Sequence, residues 1–385
     1  MSSLPRFSQI NPATIVAELD TILAQNRAEL LLLLSEIISL DWNFIQKLDD
    51  LDDRLQHFWS PINHLHAVKQ TAKLRLAYNE CLAKISAYSS ELSQNSRLYQ
   101  AIKTLDNGDY RFNYAQKKCL HNELRDFHLG GIDLPKAKQK RYQVIQAQLA
   151  QLSNQFEENL LDATANWSKC ISDKSELKGL PTYIIASAEK AAKDKNMSGC
   201  LLSLDYPCYF PVLSYADNRA LRESVYKAYI TRASEFGNMA FDNSPIMFKI
   251  LNLRHELSQL LGFKNYAQKS LASNKMAKTP EEVLSFLENL LRCTQSKADA
   301  EWQALYNFAQ SRDQIDTLQP WDILYYREKL QEKMFGICDD TLRCYFPVEK
   351  VLSGLFKLIH DLFGMQIQEI KEVDVWDPAV RFFSI

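Results

Sequence analysis

Glycine and proline are scarce in this sequence, and their scarcity limits the possible folds more than any other feature. The 385 residues include 10 glycines and 12 prolines, against averages of about 7% and 5% in proteins. β-Sandwiches, β-barrels and β-propellers need many tight turns, which are rich in glycine and proline. Phosphate-binding loops need glycine at fixed positions, so that the backbone can approach the phosphate. We therefore expect a mainly α protein, with a few short strands near 200–213 and 365–385.

The charge distribution gives no support for binding to nucleic acid. Lysine and arginine number 45 against 47 aspartates and glutamates, which leaves a formal net charge of -2 with both signs interspersed. Binding to a polyanion needs a basic patch. The most apolar stretch, 30–38, contains Glu36 and is shorter than the ~20 residues of a membrane span. We expect a cytoplasmic protein that binds neither nucleic acid nor a membrane.

The cysteines form no recognisable framework. None of them makes a C-x-x-C pair, so the spacing matches neither a zinc ribbon nor a disulfide scaffold. We expect reduced, mostly packed thiols, as in a cytosolic protein. The eight positions are 81, 119, 170, 200, 208, 293, 338 and 344.

Hydrophobic periodicity predicts helices through the first half of the chain. A new helical set is expected after Ser60 and Pro61, since proline is typical of helix starts. The segment 129–135 holds the only double glycine and predicts a break. Beyond that break, apolar residues at three- and four-residue steps predict one helix of about thirty residues that ends near Trp167.

Capping residues define the helices of the second half. One helix is expected from Asp217 onward. Another has Thr279 as its N-cap, Pro280 in its first turn and Glu282 completing a capping box. A third is expected to end at Gly364, because glycine adopts the left-handed conformation that closes many helices.

Short strands are expected in two regions. Residues 201–213 are rich in Leu, Tyr, Phe and Pro and predict one or two strands. Near the end, 365–368 alternate in polarity, and 373–376 and 381–385 also resemble strands. The sequence finishes on apolar residues without a closing turn. We therefore expect it to stop within an unfinished β-element, with an exposed edge.

His255 and Glu256 begin like the helix motif of zinc peptidases, in which two histidines one turn apart bind the metal. The residue one turn after His255 is Gln259. Its amide lacks a donor atom that zinc binds strongly, so the second ligand is missing. We interpret His255 as an ordinary helix histidine.

The other histidines form no convincing metal or nucleophile site. His64 and His66 are two residues apart and are expected on different sides of a helix. His121 and His128 share a helix face, but no third ligand stands at a matching spacing. Cys119 lies close to His121 in sequence, yet catalytic dyads are assembled in space and not by adjacency. A solvated face is the preferred interpretation.

Aromatic residues beside Asp322 leave two interpretations open. Trp321, Asp322, Tyr325 and Tyr326 either line a ligand groove or form a helix cap with core aromatics. The acidic pairs at 49–50 and 52–53 favour a solvated helix face. No self-sufficient active site emerges, so we assign no catalytic, cofactor-binding or metal-ligating residue.

Several segments, taken in order, resemble the thimet oligopeptidase and neurolysin family of zinc metallopeptidases. The resemblance runs from about residue 7 to the last residue, and it covers so many segments in order that it is highly specific. The segments are FWSPINHLHAVK, AQKKCLHNELRDFHLGGIDLPKAKQKRY, LSNQFEENLLDAT, DNRALRESVYKAYITRASEFG, LRHELSQLLGFKNYAQKSLASNKMA, TPEEVLSFLENL, QPWDILYYREKLQEKMFG, LRCYFPVEKVLSGLFKL and VDVWDPAVRFF.

The resemblance implies a helical, clam-shell protein with a deep channel that cleaves short cytosolic peptides. It also implies catalysis by zinc on an H-E-x-x-H helix, with a further Glu ligand and a Tyr/His group that stabilises the oxyanion. In the family all of these lie beyond the VWDPAVRFF region. No residue of this chain therefore inherits a catalytic or zinc-binding role, and we expect this chain to bind no zinc.

Three hypotheses remain. The chain is a truncated peptidase that is inactive alone, a non-catalytic helical module that binds peptides or a partner, or the N-terminal half of a split enzyme completed in trans. We expect an N-terminal helical domain at 1–170 and a connecting segment with short strands at 171–215. The start of the catalytic region is expected at 216–385.

Overall fold

Helices form most of the structure, as the scarcity of glycine predicts. The computed structural model describes residues 4–35, 40–108, 110–273, 275–337 and 339–385, without the side chains of residues 339 and 340. Within these ranges the helices are α1 (Ile15–Ser35), α2 (Trp42–Val68), α3 (Ala72–Ser93), α4 (Ser96–Asn107), α5 (Tyr114–Leu129), α6 (Lys136–Asn166), α7 (Thr182–Asp194), α8 (Tyr206–Tyr215), α9 (Arg219–Ile230), α10 (Ser244–Leu260), α11 (Tyr266–Leu271), α12 (Pro280–Asp313), α13 (Pro320–Phe335), α14 (Asp339–Arg343) and α15 (Val348–Phe363).

The described residues also form three short 3-10 helices (Phe7–Gln9, Lys174–Leu177 and Met239–Phe241) and four short strands: β1 (Ser168–Ile171), β2 (Cys200–Ser203), β3 (Gln368–Ile370) and β4 (Phe382–Ser384). They form two separate antiparallel pairs, β1 with β2 and β3 with β4. The mainly α fold with short strands in both expected regions is therefore confirmed. None of the described helices is long and apolar enough to cross a membrane.

The chain divides into two compact units. Unit 1 contains the residues up to Asn154 together with Lys249–Glu282 and Ile367–Ile385, and unit 2 contains Gln155–Phe248 and Val283–Gln366. Three of the four boundaries between the units fall inside α6, α10 and α12, and the fourth follows α15. Because each unit combines segments that are distant in sequence, the division at 1–170, 171–215 and 216–385 stays a prediction.

Three apolar clusters hold unit 1 together. The first lies among α1, α2 and α3 and includes Leu19 and Cys81. The second joins the end of α1 and the start of α2 to α4 and α5, around Leu105 and Leu120. The third packs α6 against α10, with Ile145 fully buried. Each cluster is built from one apolar stripe per helix, which is the arrangement that helical periodicity predicts.

The expected start of a new helix after Ser60 and Pro61 is wrong. Helix α2 continues through Pro61 to Val68. Proline removes one backbone hydrogen bond from a helix interior, so continuity needs compensation. Leu55 before the proline and Ile62 after it are both buried in the cluster with α1 and α3. Packing on both sides of the proline thus outweighs the missing hydrogen bond.

The strand prediction at 201–213 holds only for its beginning. Cys200–Ser203 form β2, while Tyr206–Tyr215 form helix α8. Pro207 lies in the first turn of α8, where proline is tolerated. Val212 and Leu213 are buried in the core of unit 2. A short apolar run carries no clear period, so strand and buried helix could not be distinguished.

The expected strand at 373–376 is wrong, although β3 and β4 lie on either side of it. Asp374 accepts hydrogen bonds from the Ser8 backbone N–H at 3.0 Å and from its hydroxyl at 2.7 Å. The Trp376 carbonyl accepts one from Lys69 Nζ at 2.9 Å, and the Trp376 ring packs edge-on against His64. This segment therefore bonds with the N-terminal part of unit 1 and not with a β-ladder.

The two longest helices have the ends that their sequences indicate. Helix α6 runs for 31 residues to Asn166, which confirms the helix predicted to end near Trp167. At the start of α12, Thr279 Oγ1 accepts the Glu282 N–H at 3.2 Å, as expected of an N-cap. The Glu282 carboxylate accepts the N–H of Lys278 at 2.8 Å and not that of Thr279. The reciprocal bond of the capping box is thus displaced by one residue.

Candidate functional site

The His255–Glu256 pair lies on α10 and does not form a metal site. His255 is exposed. Glu256 accepts two hydrogen bonds of 2.6 Å from the Arg141 guanidinium on α6. The hydrogen bond from Arg141 holds the pKa of Glu256 below its ordinary value. Gln259 donates to the Lys264 carbonyl at 2.9 Å, beyond the end of α10. Glu256 is therefore used for helix packing and Gln259 for helix termination, and His255 stays on the exposed surface.

His64 and His66 occupy different environments, as their spacing predicts. His66 is buried, and its ring stacks on Tyr78 with centroids 3.8 Å apart and planes 8° apart. Its Nε2 lies 2.8 Å from the Gln70 amide nitrogen. His64 is exposed and packs against the ring of Trp376. Neither imidazole faces the other, so they do not form a joint site.

His121, His128 and Cys119 on α5 also fail to form a reactive site. His128 Nδ1 hydrogen-bonds to the Asp133 carboxylate, and His121 is exposed. Burial raises the pKa of the Cys119 thiol, with Glu123 as a smaller cause. A nucleophilic cysteine needs the opposite shift, because the thiolate is the reactive form. The sulfur of Cys119 is therefore a packed thiol.

The remaining described cysteines do not indicate a disulfide framework. Free thiols are present at 81, 119, 170, 200, 208 and 293. Burial raises the pKa of Cys81 to about 11 and also raises the pKa of Cys200 and Cys208. These thiols are packed, as the sequence predicts, whereas Cys170 and Cys293 are exposed. Cys338 lies outside the described residues.

Asp322 is the centre of a buried ionic cluster in unit 2. It lies on α13 with none of its side chain exposed, and Arg222 on α9 is 1% exposed. Arg222 donates to Asp322 at 2.9 Å, and Arg219 donates at 2.6 Å from a side chain that is 43% exposed. The Gln319 N–H donates to the same carboxylate at 3.0 Å, so a capping interaction is part of the cluster.

Aromatic side chains enclose this cluster. The Arg222 guanidinium lies 4.1 Å from the ring centre of Tyr325, whose hydroxyl donates to Asp217 at 3.0 Å. The hydroxyl of Tyr326 donates to Asp313 at 3.0 Å. Both tyrosines are buried. The structure therefore confirms a helix cap with core aromatics and not a ligand groove at this position.

The protonation states fit a structural role. Burial acts to raise the pKa of Asp322, but hydrogen bonds from Arg219, the Gln319 N–H and Arg222 outweigh it, and the pKa lies below the ordinary value. Burial, followed by the hydrogen bond to Asp217, raises the pKa of Tyr325 to about 12. Asp322 thus stays ionised and Tyr325 neutral over the physiological range, so neither is poised to exchange protons.

Unit 1 contains an open cleft of about 640 Å³. Its walls come from α3, α5, α6, α10 and α11. Arg254 on α10 and Lys269 on α11 both approach the ring of Tyr266, at 5.0 and 6.0 Å from its centroid. Four serines of α3 line another wall, at positions 86, 89, 90 and 93. The cleft combines cations, an aromatic ring and hydroxyl groups in one concave surface.

Two family models match this chain. One, described as Peptidase family M3, covers residues 212–385. The other, described as the N-terminal domain of neurolysin and thimet oligopeptidase, covers 19–139. Residues 212–385 belong to peptidase family M3. The resemblance stated from the sequence is confirmed.

Curated M3 relatives match over almost the whole chain. Oligopeptidase A of Salmonella typhimurium is 45% identical over 100% of this chain and 57% of its own length. Oligopeptidase A of Escherichia coli is also 45% identical, over 99% of the chain and 57% of its length. A probable cytosolic oligopeptidase A of Arabidopsis thaliana is 35% identical, over 99% and 55%. The chain thus corresponds to an N-terminal portion of oligopeptidase A and spans less than two thirds of the length of these relatives.

Family M3 consists of zinc metallopeptidases, and a zinc site takes at least three protein ligands, supplied by His, Cys, Asp or Glu. Among the residues that the structure describes, no group of three such side chains comes together. The described residues therefore offer no ready-made set of zinc ligands.

Sequence reasoning missed the partners of Asp322 and the cleft of unit 1. Arg222 lies 100 residues from Asp322, and no local pattern connects the two. The cleft residues come from five helices that are separate in sequence. Arg254 directly precedes His255, so the arginine that lines the cleft stands next to the histidine that the motif singled out.

Proposed function

We propose that this chain supplies the N-terminal portion of a zinc-dependent oligopeptidase that hydrolyses short peptides in the cytoplasm, and that it has no peptidase activity alone. Two α helices within residues 212–385 support this proposal, because their apolar faces are exposed. Helix α15 has no buried residue. Its exposed apolar residues recur at three- and four-residue steps, namely Val348, Val351, Leu355, Leu358 and Leu362.

Helix α12 shows the same feature over its first part. It buries residues only from Leu305 onward. Before that point Leu284, Leu287 and Leu291 are each about half exposed or more, again at helical spacing. Contiguous apolar stripes on a folded protein mark interaction surfaces. A polypeptide is therefore expected to cover both helices.

We expect the portion of oligopeptidase A outside the matched region to pack against these apolar faces of α12 and α15. The chain spans 57% of the Salmonella relative, so the C-terminal part of such an enzyme has no counterpart in residues 1–385. In the proposal this part also brings the zinc ligands and the catalytic glutamate. The cytoplasmic location and the peptide substrates follow from the names of the relatives, one of which is called cytosolic.

Complementation tests the proposal. The chain 1–385 is co-expressed with the C-terminal portion of Salmonella oligopeptidase A that lies beyond the matched region, and a quenched fluorescent peptide is used as substrate. We expect hydrolysis that a chelator abolishes in the co-expressed sample, and none from the chain alone. The matching N-terminal portion of the Salmonella enzyme is the positive control.

The Salmonella N-terminal portion shows whether two separate fragments can restore hydrolysis at all, so a failure of the chain 1–385 can be interpreted. If the Salmonella N-terminal portion restores hydrolysis and the chain 1–385 does not, the proposed role in an oligopeptidase is wrong. Peptide binding without turnover in that sample would instead support the non-catalytic binding module.

A further inference from the structure

The cleft of unit 1 holds two cations that are not neutralised by direct partners. Within the described residues, the side chains of Arg254 and Lys269 form no hydrogen bond or ion pair, and both lie over the ring of Tyr266. Burial lowers the pKa of Lys269, with Asp126 acting in the opposite direction. A partly buried cation without a hydrogen-bonded anion is costly. These two side chains therefore provide an attractive position for an anion.

The charge of the lining indicates a singly charged anion. Asp126 is the carboxylate of the cleft, and it already forms an ion pair of 2.8 Å with Arg125. Two cations and one carboxylate leave a surplus of one positive charge in the lining. A carboxylate matches this surplus, and a guanidinium can bind it with two parallel hydrogen bonds.

The other walls suit an amide-containing molecule. Ser86, Ser89 and Ser153 line the cleft, and their hydroxyls have no hydrogen-bond partner among the described residues. A hydroxyl can donate to a carbonyl and accept from an N–H. Leu149 adds apolar surface beside them. The volume of about 640 Å³ lies in the range of small-molecule sites, which is roughly 300–1,000 Å³.

We propose that this cleft binds the C-terminal carboxylate of a short peptide, with Arg254 and Lys269 holding the carboxylate and the serine hydroxyls facing the peptide amides. The choice of a peptide over other small carboxylates rests on the proposed function. The choice of an anion rests on the cleft alone.

Calorimetry on the chain 1–385 tests the proposal with N-acetyl-trialanine and its C-terminal amide. We expect the free acid to bind and the amide to bind at least about tenfold more weakly, since charge-assisted hydrogen bonds are lost. Arg254→Ala and Lys269→Gln should each weaken binding of the acid by about tenfold. Circular dichroism establishes that each variant is folded.

Arg27→Ala is the matched control. Arg27 also lies over a tyrosine ring, that of Tyr88 at 5.3 Å, but it pairs with Glu91 and is not part of the cleft lining. We expect this variant to bind the acid as the unchanged chain does. An equal loss in Arg27→Ala and Arg254→Ala would overturn the proposal.

Three further results would also overturn it: equal affinity for the acid and the amide, no binding of either, or tighter binding of inorganic phosphate than of the acid. The calorimetry uses neither a second fragment nor peptide turnover. A failure of this proposal can therefore be distinguished from a failure of complementation.

Discussion

Replacing Asp322 with alanine is expected to lower the free energy of unfolding by about 3–5 kcal/mol. The carboxylate is fully buried, and Arg222 beside it is 1% exposed. Without Asp322 the Arg222 guanidinium keeps its charge in the interior and loses its ionic partner. Arg219 is 43% exposed and can turn towards solvent, so most of the loss comes from Arg222. Urea denaturation followed by circular dichroism measures the change.

Glu91→Ala is the control for this prediction. It removes an ion pair with Arg27 in which both side chains are at least 41% exposed. Exposed pairs contribute little, so we expect a loss below about 1 kcal/mol. If Asp322→Ala costs no more than Glu91→Ala, the buried cluster does not stabilise unit 2 as described.

The same cluster predicts how stability depends on pH. The pKa of Asp322 lies below the ordinary value of 3.8 in the folded state. A carboxyl with a lowered folded pKa contributes stability that is complete above its unfolded pKa and is lost as the pH falls through the folded value. We therefore expect the free energy of unfolding to fall more steeply below about pH 4 in the unchanged chain than in Asp322→Ala.

Introducing aspartate at both Leu355 and Leu358 is expected to abolish complementation while leaving the chain folded. These side chains are 46% and 53% exposed on the apolar face of α15. Substitutions at such positions change stability little. In the proposed interface, however, each carboxylate would be buried without a partner, which costs several kcal/mol. Hydrolysis in the co-expressed sample should fall by at least about 100-fold.

A double variant of the opposite face of α15 controls for added charge. Ser353→Asp with Lys357→Gln changes two exposed residues of the same helix and alters the net charge by the same amount. We expect complementation to persist in this variant, and the helical signal of both variants to match that of the unchanged chain. Equal loss of hydrolysis in the two double variants would reject the apolar face as the interface.

Local signals predicted much of the helical fold. Gly364 has the left-handed φ of 68° that ends α15, and the double glycine at 129–135 separates α5 from α6. These features depend on residues next to one another. The errors at Pro61 and at 206–215 have other origins. Packing on both sides of Pro61 outweighed its local preference, whereas the short apolar run at 206–215 carries no clear period.

The sites were less predictable than the helices. The histidines could be set aside from the sequence, because no spacing supplied a complete set of metal ligands. The Arg219–Asp322–Arg222 cluster and the cleft with Arg254 and Lys269 depend on which helices meet, and a single sequence does not state that. The proposed chemistry rests on the similarity to oligopeptidase A and not on a site within the described residues.

Metal analysis and peptide turnover of the purified chain 1–385 test most directly whether it needs a C-terminal portion for activity. We expect the chain to bind far less than one zinc ion per molecule and to release no fluorescence from a quenched peptide, with or without added zinc. Stoichiometric zinc together with cleavage that a chelator abolishes would contradict the proposed function.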